Sequence, residues 1–338
     1  MKAIQWDKSN LTLGQVQKPK IAGDEVLVEI AYSGVCGSDL HILDNEIGIP
    51  VDNLIIGHEI TGTVVEVGPE VKHIKLQQRV SVDVNPHCTC CTFCQVGKRN
   101  YCHETFRKCI GIGEDGGFAE FCRVQSRQAI PIPNSLPFDK SVLLEPMGCV
   151  IHGYETVSPI EDGSKILIMG AGIYGLLWTC MFHHRGFRHV TVLEVSTERL
   201  NIGKGLQLGF DFCHPDDFKT SNQRFDIAVD CTGNTTAIEL SLGFLNPGGK
   251  LLLFGLTPMD ADIKLKPFEI VNKEIKIFGT AFSPFCFPKS VSLVSDMADK
   301  YLNYGKLGIE IFKLEQYEQA FNKLREKKIS KAVFEIKK

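Results

Sequence analysis

The stretch KILIMGAGIYG, Lys165 to Gly175, decides the architecture. Lys165–Met169 is a short strand-like run. The next six residues, GAGIYG, place glycines first, third and sixth, ahead of an apolar segment long enough for a helix. A strand that ends in a G-x-G-x-x-G turn and opens a helix is the arrangement that cradles a dinucleotide pyrophosphate. Gly170 permits the tight turn, Gly172 lets backbone N–H groups approach the phosphates, and Gly175 lets helix and strand pack closely. Ile173 and Tyr174 lie between the last two glycines and complete the candidate cofactor-contacting turn. The helix N-terminus adds partial positive charge where the phosphates would rest.

Downstream, a second strand-like run, Val190–Glu194, ends in an acid nineteen residues after Gly175. A carboxylate there is placed to accept hydrogen bonds from the adenosine ribose hydroxyls, which favours NAD, because a 2′-phosphate would meet like charge. Ser196 and Arg199 stand near enough in sequence to grip a phosphate, so NADP stays open. Further runs at Ile227–Asp230, Lys250–Phe254 and Lys276–Gly279, mostly alternating with helix-length segments, predict a doubly wound parallel sheet over residues 149–284.

Upstream, residues 1–148 read as short β segments separated by Gly, Pro and Asp, such as Glu25–Ala31, Glu59–Val67, Arg79–Val84 and Gly117–Val124. Residues 285–338 carry two helical segments, Ser290–Tyr304 and Glu315–Glu326, and a last strand, Ala332–Ile336, expected to fold back onto the first part. The fold class is therefore α/β, with a β-rich domain, a Rossmann-type cofactor domain and a C-terminal segment that completes the former.

A chain of 338 residues suits two cores with a cleft between them. With 43% hydrophobic and 23% charged residues and a net charge of -3, there is no basic excess to neutralise nucleic-acid phosphates. The longest apolar runs fall far short of the ~20 residues of a membrane span. The first residues, MKAIQWDKSN, turn polar too soon for a secretory signal, so a cytoplasmic, reducing location is expected.

Five of the thirteen cysteines fall between Cys88 and Cys102. In a reducing setting such crowding points to metal rather than disulfides. Cys88, Cys91, Cys94 and Cys102 are spaced C-x2-C-x2-C-x7-C, and four thiolates close a tetrahedron around zinc with no position left for substrate. This zinc would be structural, pinning a loop too polar to fold by burial alone. Cys90 can replace Cys91 only by spoiling the even spacing, and reads as a free thiol.

Cys36 lies in GVCGSDLH, His58 and Glu59 in LIIGHEITG, and Glu145 in LLEPMGCVIH. A thiolate, an imidazole and a carboxylate give zinc three protein ligands and leave a fourth position open, where a bound alcohol is acidified. Ser38 and His41 follow Cys36 closely enough to relay the released proton to solvent, while Asp39 is better suited to orienting a neighbour. Glu59 is read as supporting His58 or joining the metal.

With these motifs the chain resembles the zinc-containing medium-chain alcohol dehydrogenases, in the branch of sorbitol, other polyol, threonine and butanediol dehydrogenases. The likeness runs over nearly the whole length, and its most specific pieces are GHE-x2-G-x5-G-x2-V from Gly57 to Val71, the cysteine lobe and G-x-G-x-x-G. It implies a GroES-like catalytic domain beside the Rossmann domain, one catalytic and one structural zinc per subunit, and a homodimer or homotetramer. Cys36 and His58 match catalytic zinc ligands, and Glu59 and Glu145 match the acids that complete the site directly or through water. Where the sorbitol enzymes commonly follow the relay histidine with tyrosine, this chain has Ile42. AFSPFCFPKS lacks an evident Arg-Tyr pair for sugar hydroxyls. The expected reaction is hydride transfer between a secondary alcohol, a polyol or sugar alcohol foremost, and NAD. An NADP-linked carbonyl reductase of the same fold is the first alternative. A non-catalytic dinucleotide-binding sensor or crystallin-like protein is the second.

Overall fold

The computed structural model describes residues 1–46, 48–49, 51–218 and 221–337. Two large sheets organise the chain. The strand Ile166–Met169, buried along its whole length, sits centrally in a six-stranded parallel sheet. On one side it pairs with Val190–Leu193 and then Asp211–Cys213; on the other lie Phe225–Asp230, Leu245–Leu253 and Lys276–Gly279. Strand order therefore reverses beside Ile166–Met169, and in open α/β sheets ligands bind outside the carboxyl ends at that switch point. The glycine turn begins there.

The other large sheet runs Ile309–Phe312, Lys331–Glu335, Glu25–Gly34, Glu59–Val67, Arg79–Val82 and Ala129–Pro131, with Phe121–Gln125 also paired to Glu25–Gly34. Its inner faces close over a core of Ile30, Val64, Val80, Phe118 and Phe334, all fully buried. The last strand of the chain thus lies beside one of the first, with Val333 opposite Gly34.

The helix Leu144–Val157 leads from one sheet to the other, and residue 148 lies inside it. This helix went unread in the sequence because its first turn, LEPMG, carries the proline and glycine of a turn. Pro146 is tolerated there, since early helical N–H groups lack intrahelical partners. The helix Phe287–Tyr301 packs on Leu144–Val157, so the C-terminal segment touches both halves. It begins ahead of Ser290 because Pro288 suits a first helical turn. Around Gly117 the expected strand starts late, at Phe121: Gly116, Gly117 and Phe118 donate instead to the carbonyls of Ile55, Gly57 and Ile56. The strand Asp211–Cys213 was missed; three residues carry too little period to read.

Candidate active site

Gly170 has φ +96°, a conformation L side chains rarely adopt, and a Cβ on Gly175 would stand 1.9 Å from the Gly170 carbonyl oxygen. Both positions demand glycine. Gly172 differs: nothing approaches its missing Cβ nearer than the Arg199 guanidinium at 3.7 Å. It caps the helix Ile173–His184 without any side-chain hydrogen bond, so the first-turn N–H groups face an open cradle. Glu194 is buried behind this turn. One carboxylate oxygen accepts from Ala171 N at 2.7 Å and the other from Val195 N and Ser196 N, each at 2.8 Å. The acid thus holds the turn itself, a role the spacing did not reveal. The Ser196 hydroxyl caps its own helix, accepting from Arg199 N at 3.3 Å. Arg199 donates to the Ile329 carbonyl at 3.3 Å and is half-buried over Gly172.

Cys36 follows the strand Glu25–Gly34 while His58 and Glu59 stand at the start of its partner Glu59–Val67, and all three are buried. Their ligand atoms lie within 4.8 Å of one another. The Ser38 hydroxyl points into this group, 3.2 Å from Cys36 Sγ and 3.3 Å from His58 Nε2. Asp39, fully buried, accepts from Cys36 N at 2.8 Å through one oxygen and puts the other 3.3 Å from His58 Nδ1. It orients ligand and backbone together. Burial alone would hold the His58 pKa below its usual value; the Asp39 carboxylate and the Cys36 sulfur reverse this and raise it.

Two partners were invisible in the sequence. Lys331, fully buried on the last long strand, is ion-paired with Glu59 and also donates to the Val35 carbonyl at 3.2 Å. Glu46 pairs with His41 Nδ1. A lysine inside the apolar run ISKAVFEI was a legible anomaly; an acid five residues from a histidine was not. Among the described residues no hydrogen bond joins Ser38 to His41, although both line one cavity.

That cavity, about 390 Å³, lies between the sheets and is lined by Cys36, His58, Glu145, Cys149 and Tyr174, with Phe254 among its apolar walls. Glu145 is held by the long connecting helix and faces the cavity, whereas Glu59 does not. Its Oε1 accepts from the Cys149 thiol at 3.5 Å and its Oε2 has no partner. Burial pushes the Glu145 carboxyl up to about 7, against the pull of His58. Tyr174 turns from the glycine loop toward the cluster, its hydroxyl 3.6 Å from Cys36 Sγ.

Cys88, Cys91, Cys94 and Cys102 also converge within 4.8 Å, and Cys90 stands outside that set. Thiolates about 2.3 Å from one zinc stand ~3.8 Å apart. Cys88 and Cys94 are separated by 3.9 Å.

Residues 22–134 match the alcohol dehydrogenase GroES-like domain and residues 175–296 the zinc-binding dehydrogenase family. D-arabinitol dehydrogenase 1 of Uromyces fabae is 31% identical, over 96% of this chain and 94% of its own. The chain belongs to the zinc-containing medium-chain alcohol dehydrogenase family. Two solved structures superpose on it, each at 25% identity. A zinc-binding dehydrogenase from Sinorhizobium meliloti 1021 bound to NADP has a TM-score of 0.89, over 98% of both chains. Acetophenone reductase from Geotrichum candidum in complex with NAD has 0.87, over 99% of this chain and 96% of that one. This medium-chain dehydrogenase, of the polyol branch, is an enzyme acting on CH–OH groups. The sensor and crystallin-like alternatives are not favoured.

The donor sets fit the family's zinc. Glu59 Oε1, in the group with the Cys36 thiol and the His58 imidazole, is buried with no hydrogen-bond partner, and so is Glu145 Oε2, which lines the cavity outside that three-residue group. Such orphaned acceptors are costly unless something occupies them. Among the described residues no helix is long and apolar enough to cross a membrane.

Proposed function

We propose that this dehydrogenase oxidises a secondary hydroxyl of a polyol or sugar alcohol with NAD, in the cavity between its sheets. The observation that carries the reading is one cavity holding Cys36, Ser38, His41, His58 and Glu145 alongside Tyr174 of the glycine turn. Cys36 and His58 would hold the catalytic zinc with one carboxylate, either Glu59, which converges with them and is paired with Lys331, or Glu145, which faces the cavity. Zinc so held supplies a Lewis acid that lowers the pKa of a hydroxyl. Gly170, Gly172, Ile173, Tyr174 and Gly175 bind the dinucleotide, the uncapped helix end receiving its pyrophosphate, and bound NAD supplies the hydride acceptor. Ser38 takes the proton released at the substrate oxygen. His41, half-buried beside Glu46, delivers it to solvent. Val84, Phe254 and Phe282 in the wall exclude water from the hydride path.

Cys88, Cys91, Cys94 and Cys102 would hold the second, structural zinc. Sheet membership supports reading residues 1–148 and 285–338 as the catalytic part and 149–284 as the cofactor part. The parallel sheet ends at Lys276–Gly279, whose outer edge is unpaired among the described residues, and Phe268 and Val271, on the helix that leads into it, are 79% and 77% exposed. Edges and apolar patches of this kind are normally covered. They support a homodimer or homotetramer. Thirteen unpaired cysteines support a cytoplasmic location.

The test follows reduced-nicotinamide absorbance over a panel of pentitols, hexitols and simple secondary alcohols with NAD and NADP. Turnover of polyols well above that of simple alcohols is expected; the reverse order sinks the polyol assignment. Glu194→Ala is expected to move the NADP-to-NAD ratio of kcat/KM upward by about tenfold, or ~1.4 kcal/mol. An unmoved ratio would leave Glu194 as a brace of the turn alone.

A further inference from the structure

Four thiols complete the lobe's zinc site, yet a fifth stands against it. Cys90 is exposed, and its Sγ lies 3.6 Å from Cys88 Sγ, closer than Cys88 lies to Cys94. A disulfide needs ~2.05 Å between sulfurs. Swinging an exposed side chain by about 1.5 Å closes the difference. No other residue of the cluster is fully exposed: Cys88, Cys91 and Cys94 are half-buried and Cys102 is buried. An oxidant from solvent therefore meets Cys90 first.

We propose that Cys90 is an oxidation-sensitive trigger that ejects the structural zinc by forming a disulfide with Cys88. This rests on the reading that Cys88, Cys91, Cys94 and Cys102 hold that zinc. A peroxide takes two electrons from the Cys90 sulfur, leaving a sulfenic acid and water. The Cys88 sulfur attacks it, the S–O bond breaks, hydroxide leaves, and the S–S bond replaces the bond from Cys88 to zinc. The metal then keeps three protein ligands and departs. A dithiol returns two electrons and frees both thiols for reloading.

The consequence reaches the active site through two contacts. Asn85 Nδ2 donates to Ser283 Oγ at 3.3 Å, and the Arg99 guanidinium stacks on Phe285 at 3.4 Å. These tie the lobe to the loop whose Phe282 walls the catalytic cavity. Loosening the lobe frees that wall, so oxidation lowers turnover without touching Cys36.

The experiment uses holoenzyme as purified, with zinc counted per chain before any oxidant. Wild type and Cys90→Ser receive equimolar hydrogen peroxide with a chromogenic zinc chelator, and products are identified by intact and peptide mass. The two proteins are expected to start with equal zinc. Wild type then releases a single zinc per chain, loses two hydrogens in mass and yields a Cys88–Cys90 bridged peptide, all reversed by a dithiol plus zinc. Release from Cys90→Ser is about tenfold slower or more. Equal release from both proteins, or oxygen added to Cys90 with zinc retained, overturns the proposal. So does a Cys90→Ser protein already short of zinc, which would make Cys90 a ligand. Failure of the underlying reading looks different: Cys102→Ser would then keep its full zinc content, whatever peroxide does.

Discussion

The two thiol-bearing sites of this dehydrogenase are built in opposite ways. The lobe takes its four sulfurs from a stretch of fifteen residues, Cys88 to Cys102, and most of that stretch is exposed or half-buried. The proposed catalytic group draws on Cys36, His58, Glu59 and Glu145, spread over more than a hundred residues, and all four are buried. A local, wet site depends on its metal for its shape, because it has too little apolar surface to fold by burial. A distributed, dry site is shaped by the sheets that carry it, and the proposed metal would enter a cavity already formed. The first is therefore the part that can be lost and regained, and the second the part that must be preorganised.

Several substitutions test that contrast. The largest effect is expected from Cys36→Ser: the several kcal/mol a Lewis acid supplies correspond to about a thousandfold in turnover. Dinucleotide binding by calorimetry and the thermal midpoint should stay close to wild type, since the cavity is held by the sheets. A collapse in stability instead would mean that this site, too, is shaped by its metal.

Lys331→Met leaves the fully buried Glu59 carboxylate without its cation, and breaking such a pair costs about 3–5 kcal/mol. Denaturant midpoints should show the loss, and adding Glu59→Gln should recover much of it. No recovery in the double variant would mean that Lys331 acts by packing rather than by charge.

Cys102→Ser should halve the zinc content and lower the thermal midpoint, with turnover falling no more than about tenfold, as for a group that orients rather than reacts. A loss as deep as that of Cys36→Ser would erase the distinction between the sites.

The smallest effect lies at the seam between them. Burial pushes the Asp83 carboxyl up to about 6, opposed by its hydrogen bonds to Asn85 and by Arg99. A folded value above the unfolded one, near 3.9, means that ionised Asp83 costs the folded state. That cost is absent below about pH 4 and complete above about pH 6. Asp83→Asn should therefore raise the melting temperature above pH 6 and leave it unchanged below pH 4. A gain of equal size at both pH values would point to something other than charge.

The convergence of Cys88, Cys91, Cys94 and Cys102 was legible because their spacing is one continuous pattern. The glycine turn was legible for the same reason, down to which glycine needs its positive φ and which must admit the neighbouring backbone. The catalytic group could be read only as candidates. Neither Lys331 as the partner of Glu59 nor Glu46 as the partner of His41 has a local signature. The bracing of the turn by Glu194 was hidden for a different reason: spacing places the acid near the ribose, but only coordinates show its oxygens accepting backbone N–H groups.

By itself, then, the order of residues determined the two architectures, the thiol lobe and the glycine turn, because each is specified by short-range periodicity or spacing. Tertiary structure alone decided that Glu145 rather than Glu59 faces the cavity, and that a lysine from the far end of the chain neutralises the acid behind it. The reason is physical: strand pairing brings residue 331 beside residue 59, and burial then makes every unpaired charge there costly enough to require a partner.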